Sequence, residues 1–126
     1  MSWLAVGLGA ALGAWLRWGL SLWLASTHGK LPIGTLAANL GGGYLIGVLM
    51  GFFAASPHLS LEWRLFAITG FLGGLTTFST FSAEVVERAL AGQFPVALAL
   101  ACLHLAGSLT ATWLGLLTVG ATRIWG

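Results

Sequence analysis

The chain has 126 residues, 58% of them hydrophobic and only 6% charged, and its formal net charge is +2. Ordinary soluble domains carry about 25% charged residues, so five Lys+Arg and three Asp+Glu cannot cover a water-soluble surface of this size. The composition indicates one integral membrane domain, and the scattered positive charges form no basic patch for nucleic acid.

A hydrocarbon core about 30 Å thick needs roughly 20 apolar residues in a helix. The first span runs from about Trp3 to Ser26 and is closed by Thr27-His28-Gly29-Lys30. Its first charge, Arg17, lies inside the apolar run, so the basic start of a signal peptide is missing. The second span begins at Ile33, after Pro32, and reaches Ala55, where Ser56-Pro57-His58 closes it. The third runs from about Glu62 to Arg88 with a Gly/Ser/Thr-rich interruption in its middle. The fourth runs from Phe94-Pro95 to about Thr122, before Arg123. Trp3, Trp23, Trp63 and Trp125 fall near span ends, where amphipathic rings favour the interface.

Orientation is nearly balanced. Arg64 and Arg123 lie on the side of the termini; Lys30 and Arg88 lie opposite, with Arg17 able to snorkel toward them. Two readings stay open: weak statistics from few charges, or a chain that inserts both ways and pairs with an inverted copy. Pairs Gly9/Gly13 and Gly70/Gly74 and the series Gly43/Gly47/Gly51 keep four-residue spacing. Such stripes allow close helix approach in lipid, within one chain or between copies. The lone Cys102 can form no intrachain disulfide, and no nucleophile–base–orienter set indicates an enzyme.

The chemistry concentrates in the third span, at Gly73-Gly74-Leu75-Thr76-Thr77-Phe78-Ser79-Thr80-Phe81-Ser82. Paired glycines followed by β-branched threonines are poor helix material. A break there would free carbonyls at mid-membrane depth, where they must face protein, water or an ion. Phe78 and Phe81 would share a face if helix resumes, and a ring edge carries positive charge suited to an anion. Ordinary core packing is the other reading of that pair. Asn39 in the second span offers amide donors to an anion or serves as interhelical glue. Thr35 lies one turn earlier. His104, Ser108 and Thr112 form a polar stripe in the fourth span, either a pathway wall or hydroxyls bonded to their own helix. Glu84 and Arg88 stand in the favourable order for a helical ion pair. Neutral donors without a central carboxylate suit a small hard anion, fluoride better than chloride. A small dual-topology multidrug-type exporter is the alternative, but it needs an acid in the first span, and residues 3–26 contain none.

Gly13-Ala14-Trp15-Leu16-Arg17-Trp18, Gly34-Thr35-Leu36-Ala37-Ala38-Asn39 and Gly70-Phe71-Leu72-Gly73-Gly74-Leu75-Thr76-Thr77-Phe78-Ser79-Thr80-Phe81 strongly resemble the Fluc (CrcB) fluoride channels. The resemblance covers essentially the whole chain. It implies an all-α membrane protein of four transmembrane helices with a broken third helix, assembled as an antiparallel, dual-topology homodimer with two fluoride pores. It implies a fluoride pore at Asn39, Phe78, Phe81, Ser79, Thr80, Ser108, Thr112 and Thr35, and a vestibule at Arg17. It further implies one structural Na⁺ on the two-fold axis, held by the carbonyls of Gly73 and Thr76. Fluoride export across an inner or plasma membrane is the expected activity. His104 departs from the hydroxyl-bearing or aromatic residue expected at its position, and Trp18 stands where a tyrosine is common. Glu84 is a further candidate for shaping the vestibule.

Overall fold

The computed structural model of the chain describes residues 1–28 and 32–120. Lys30, Arg123 and Trp125, used above for charge balance and interfacial anchoring, lie outside the described residues. Helix α1 spans Ser2–His28 and α2 spans Ile33–Ala54. The third span is composite: α3 at Leu61–Arg64, a π-helical stretch at Leu65–Leu72, α4 at Gly73–Leu75, and α5 at Phe78–Leu90. Helix α6 covers Phe94–Thr118. Four segments are thus long and apolar enough to cross a membrane: 2–25, 33–54, 61–90 and 94–118.

The helix ends follow local chemistry. Pro32 precedes α2 and Pro95 opens α6, positions where a missing N–H costs nothing because first-turn N–H groups have no intrahelical acceptor. Helix α5 ends at Gly92, whose φ of 78° is the left-handed conformation glycine adopts freely. Gln93 N–H then donates to Arg88 O at 2.8 Å and Gly92 N–H to Ala89 O at 3.0 Å, the bond pair of a glycine-terminated helix end.

Two helix pairs carry most of the packing: α1 lies along the π-helical stretch, and α2 lies along α6. Small residues make both contacts possible. A methyl group at Gly13 would run into the Phe71 carbonyl, and one at Gly47 into the Thr112 carbonyl. Glycine pairs 9/13 and 70/74 therefore serve packing within one chain, as do Gly43 and Gly47. The buried core is small, Ala38, Leu72 and Leu75, with Leu20, Ile46, Leu49 and Phe71 packed against it. Most large apolar side chains point outward, including Trp3, Trp23 and Trp63, as expected where lipid is the solvent.

Candidate functional site

The third span breaks at the threonines and not at the glycines. Gly73 and Gly74 stay helical, whereas Thr76 (φ −90°, ψ 151°) and Thr77 (φ −149°, ψ 126°) are extended. β-Branched residues favour that backbone region, and both hydroxyls secure it. Thr76 closes the upstream helix: its N–H and its Oγ1–H both donate to Leu72 O, at 2.9 and 2.8 Å. Thr77 caps the downstream one, its Oγ1 accepting from Thr80 N–H at 3.3 Å. Ser79 Oγ lies 3.2 Å from the same Thr77 oxygen, and Thr77 Oγ1 lies 3.4 Å from Thr80 Oγ1.

Two side chains from other helices hold the break open. Asn39 grips the Thr77 peptide at both ends, its Nδ2–H donating to Thr77 O at 3.0 Å and its Oδ1 accepting from Thr77 N–H at 2.8 Å. Arg17 Nε donates to Gly74 O at 3.2 Å. That carbonyl belongs to the last turn before the break, the negative end of the half-helix, where a guanidinium is electrostatically favoured. The half-buried Arg17 side chain is thus turned to the break.

A cavity of about 430 Å³ adjoins the break, walled by Asn39, Gly43, Gly73, Thr76, Thr77, Phe78, Phe81, His104 and Ser108 together with apolar neighbours. Among the described residues no charged side chain lines it. Phe78 and Phe81 meet edge-to-face, with centroids 5.5 Å apart and planes at 71°. Phe81 also lies against the His104 ring, centroid to centroid 4.5 Å with a 32° tilt. His104 is buried, 4% exposed, and its Nδ1 sits 3.0 Å from Asn39 Nδ2.

The other expected pore residues stand outside this wall. Thr112 Oγ1 donates to Gly43 O and Ser108 O, both at 2.9 Å, so its hydroxyl joins α6 to α2. Thr35 Oγ1 donates to Glu84 Oε1 at 2.6 Å. The second carboxylate oxygen, Oε2, is buried without a hydrogen-bond partner among the described residues. Arg88 Nη1 reaches Gln93 Oε1 at 3.1 Å. Sequence reasoning missed three links here: the double bond from Asn39 to Thr77, the contact of Asn39 with His104, and the Thr35–Glu84 bond. Only the cap had a local signal, a Thr three residues before Thr80 at a helix start.

Residues 4–116 match the family model described as CrcB-like protein, Camphor Resistance (CrcB). The chain belongs to the CrcB family. It is 69% identical over 125 residues to a Dechloromonas aromatica protein named Fluoride-specific ion channel FluC, covering 99% of this chain and 93% of that one. A Ralstonia pickettii protein of the same name is 60% identical over 119 residues, 94% of each chain. A Pseudomonas putida protein, also so named, is 59% identical over 115 residues, 91% of each. In this CrcB chain Asn39, Phe78, Phe81 and Ser108 come together at one cavity with Gly73 and Thr76.

Proposed function

We propose that this chain is a passive fluoride-selective channel, which lets a cell expel accumulated fluoride down its electrochemical gradient across the plasma membrane. The observation that carries the reading is the mid-span cavity beside the helix break, whose wall combines neutral donors and phenyl edges and holds no formal charge. Neutral dipoles replace the hydration shell of a small anion without trapping it. The names of the relatives support the same ion.

Fluoride sheds water near Arg17, meets the wall formed by Asn39 and Ser108, and passes the edges of Phe78 and Phe81. Ser79, Thr80, Thr112 and Thr35 belong to the approaches on either side. The working form is an antiparallel homodimer with two pores. A single chain leaves Phe78 at 78% exposed and the cavity open at its side, and an inverted second copy would close it.

A structural Na⁺ fits the donor set. The break leaves the Gly73 and Thr76 carbonyls with no hydrogen bond from outside their own helix among the described residues. Among the described residues no cluster of His, Cys, Asp or Glu competes for a metal. Gly73 and Thr76 would hold the ion through hard carbonyl oxygens, and its charge would offset the dipoles that the break exposes.

The test is efflux from liposomes reconstituted with purified protein and followed with ion-selective electrodes. Fluoride should leave rapidly while chloride is retained. Equal rates for the two ions would reject selectivity.

A further inference from the structure

A second cavity, of about 350 Å³, opens where α2 and α6 begin, and it shares no wall residue with the first. The two helices run parallel: Asn39 meets His104, Gly43 lies against Ser108, and Gly47 lies against Thr112 and Gly115. Glycine permits those close approaches. Helix α6 has no glycine between Phe94 and Ala106, and Gly34 of α2 faces Ser21 of α1 instead. Near their starts the two helices are therefore held apart by Leu36, Leu100 and Leu103, and a groove is left between them. Every side chain of its wall is apolar, and Leu103 on its rim is 51% exposed.

The groove has a depth and a mouth. Pro95 and Leu103 on its wall are separated by about 12 Å at the α-helical rise, against about 15 Å for one leaflet's share of the hydrocarbon core. The mouth lies at the membrane face where the third span ends at Leu90 and the fourth begins at Phe94. The half-buried Arg88 side chain reaches across that connection, its Nη1 donating to Gln93 Oε1 at 3.1 Å. With its oxygen so engaged, the Gln93 amide has only N–H groups to offer a ligand. Of the nearby acids, Glu84 is bonded to Thr35, and Glu87 lies about 100° around α5 from Arg88.

We infer that this groove binds one acyl chain of a glycerophospholipid whose phosphate is held by Arg88 and Gln93. The chemistry at the two ends selects the occupant. A hydrocarbon tail fits an apolar slot nearly one leaflet deep, and a phosphodiester is the membrane anion that a guanidinium at headgroup level binds. The inference rests on the membrane-spanning fold alone and is independent of which ion the chain conducts.

Native mass spectrometry of the purified chain in detergent, titrated with dioleoylphosphatidylglycerol or with dioleoylglycerol, reads the two ends separately. The first should occupy one site per chain about 10-fold more tightly than the second, which has the same tails and no phosphate. Arg88→Gln should bring the two lipids to equal, weak binding. Ala99→Phe, which puts a ring into the slot, should weaken both by about 10-fold, and Leu103→Trp does the same from the rim if the first variant fails to fold. Equal binding of the two lipids by the unsubstituted chain, no effect of Arg88→Gln, or full binding by the groove variants overturns the assignment. So does a groove variant that keeps the lipid but separates copies of the chain, which would make this face a contact between copies.

Discussion

The Asn39 carboxamide and the Thr77 peptide group are joined by two antiparallel hydrogen bonds, 3.0 and 2.8 Å long, so a side chain of α2 completes the backbone pairing that the third span gives up at its break. Unpaired peptide groups in hydrocarbon are costly, and this pairing is what makes the extended Thr77 tolerable. Asn39→Ala removes both bonds along with the contact to His104. It should lower stability by about 1–3 kcal/mol, read as a fall in melting temperature in detergent, and abolish fluoride efflux. A variant that melts and conducts like the unsubstituted chain would show that the break needs no such support.

The cap makes a separable demand. Thr77→Val preserves shape and extended propensity but deletes the oxygen that accepts from Thr80 N–H. The expected cost is about 1 kcal/mol, whereas Thr77→Ser keeps the oxygen and should cost less. Thermal melts of the pair decide the matter, and a larger loss in Ser than in Val would point to the methyl group instead.

Arg17 tests charge against direction. Its Nε reaches Gly74 O, a bond that needs the guanidinium plane, while attraction of fluoride to a vestibule needs only positive charge. Arg17→Lys should therefore melt lower than the unsubstituted protein yet retain more efflux than Arg17→Gln. Equal efflux from the Lys and Gln variants would remove the charge from the permeation path.

The four spans were readable because each needs only a run of apolar residues of one length, and the observed ends fall within a few residues of those expected, the expected end of the fourth at Thr122 lying outside the described residues. The break was readable from its glycines and threonines, but its place was not. Glycine disfavours a helix only weakly once a neighbour packs on it, and α1 packs closely on Gly70 and Gly74, so the kink passed to Thr76 and Thr77. Asn39 stood out as a polar residue in an apolar run. Its partners did not, because Thr77 and His104 lie 38 and 65 residues away, and only tertiary packing brings them together. The π-helical stretch at Leu65–Leu72 has no sequence signal that we can identify.

Close packing of α1 on the first half of the third span predicts an intolerance to one methyl group. A Cβ at Gly74 would lie 3.0 Å from both Cα and the carbonyl carbon of Ala10. These are backbone atoms of a long helix and cannot swing aside. Gly74→Ala should cost about 1–3 kcal/mol through forced separation of the helices. Gly7→Ala, on the same α1 helix but with nothing within 4 Å of its Cβ, should melt at or above the unsubstituted temperature. Similar gains at both positions would mean that helix propensity and not contact sets the effect.

The last prediction concerns the ring that touches both aromatic partners. Phe81 meets the edge of Phe78 on one side and the face of His104 on another, and it lines the cavity with both. Replacing it by Ile keeps an apolar side chain of moderate bulk, so α5 should still pack and the protein should still purify as the same species. What Ile lacks is the ring's positive edge, the one feature of Phe81 that an anion can feel. If fluoride passes along that edge, Phe81→Ile should cut fluoride efflux by about 10-fold or more while leaving the melting temperature within a few degrees. If the ring is only core packing, stability should fall and efflux per folded molecule should hold. Measured together on one preparation, the two quantities move in opposite senses under the two accounts, and an undiminished fluoride flux takes Phe81 out of the permeation path.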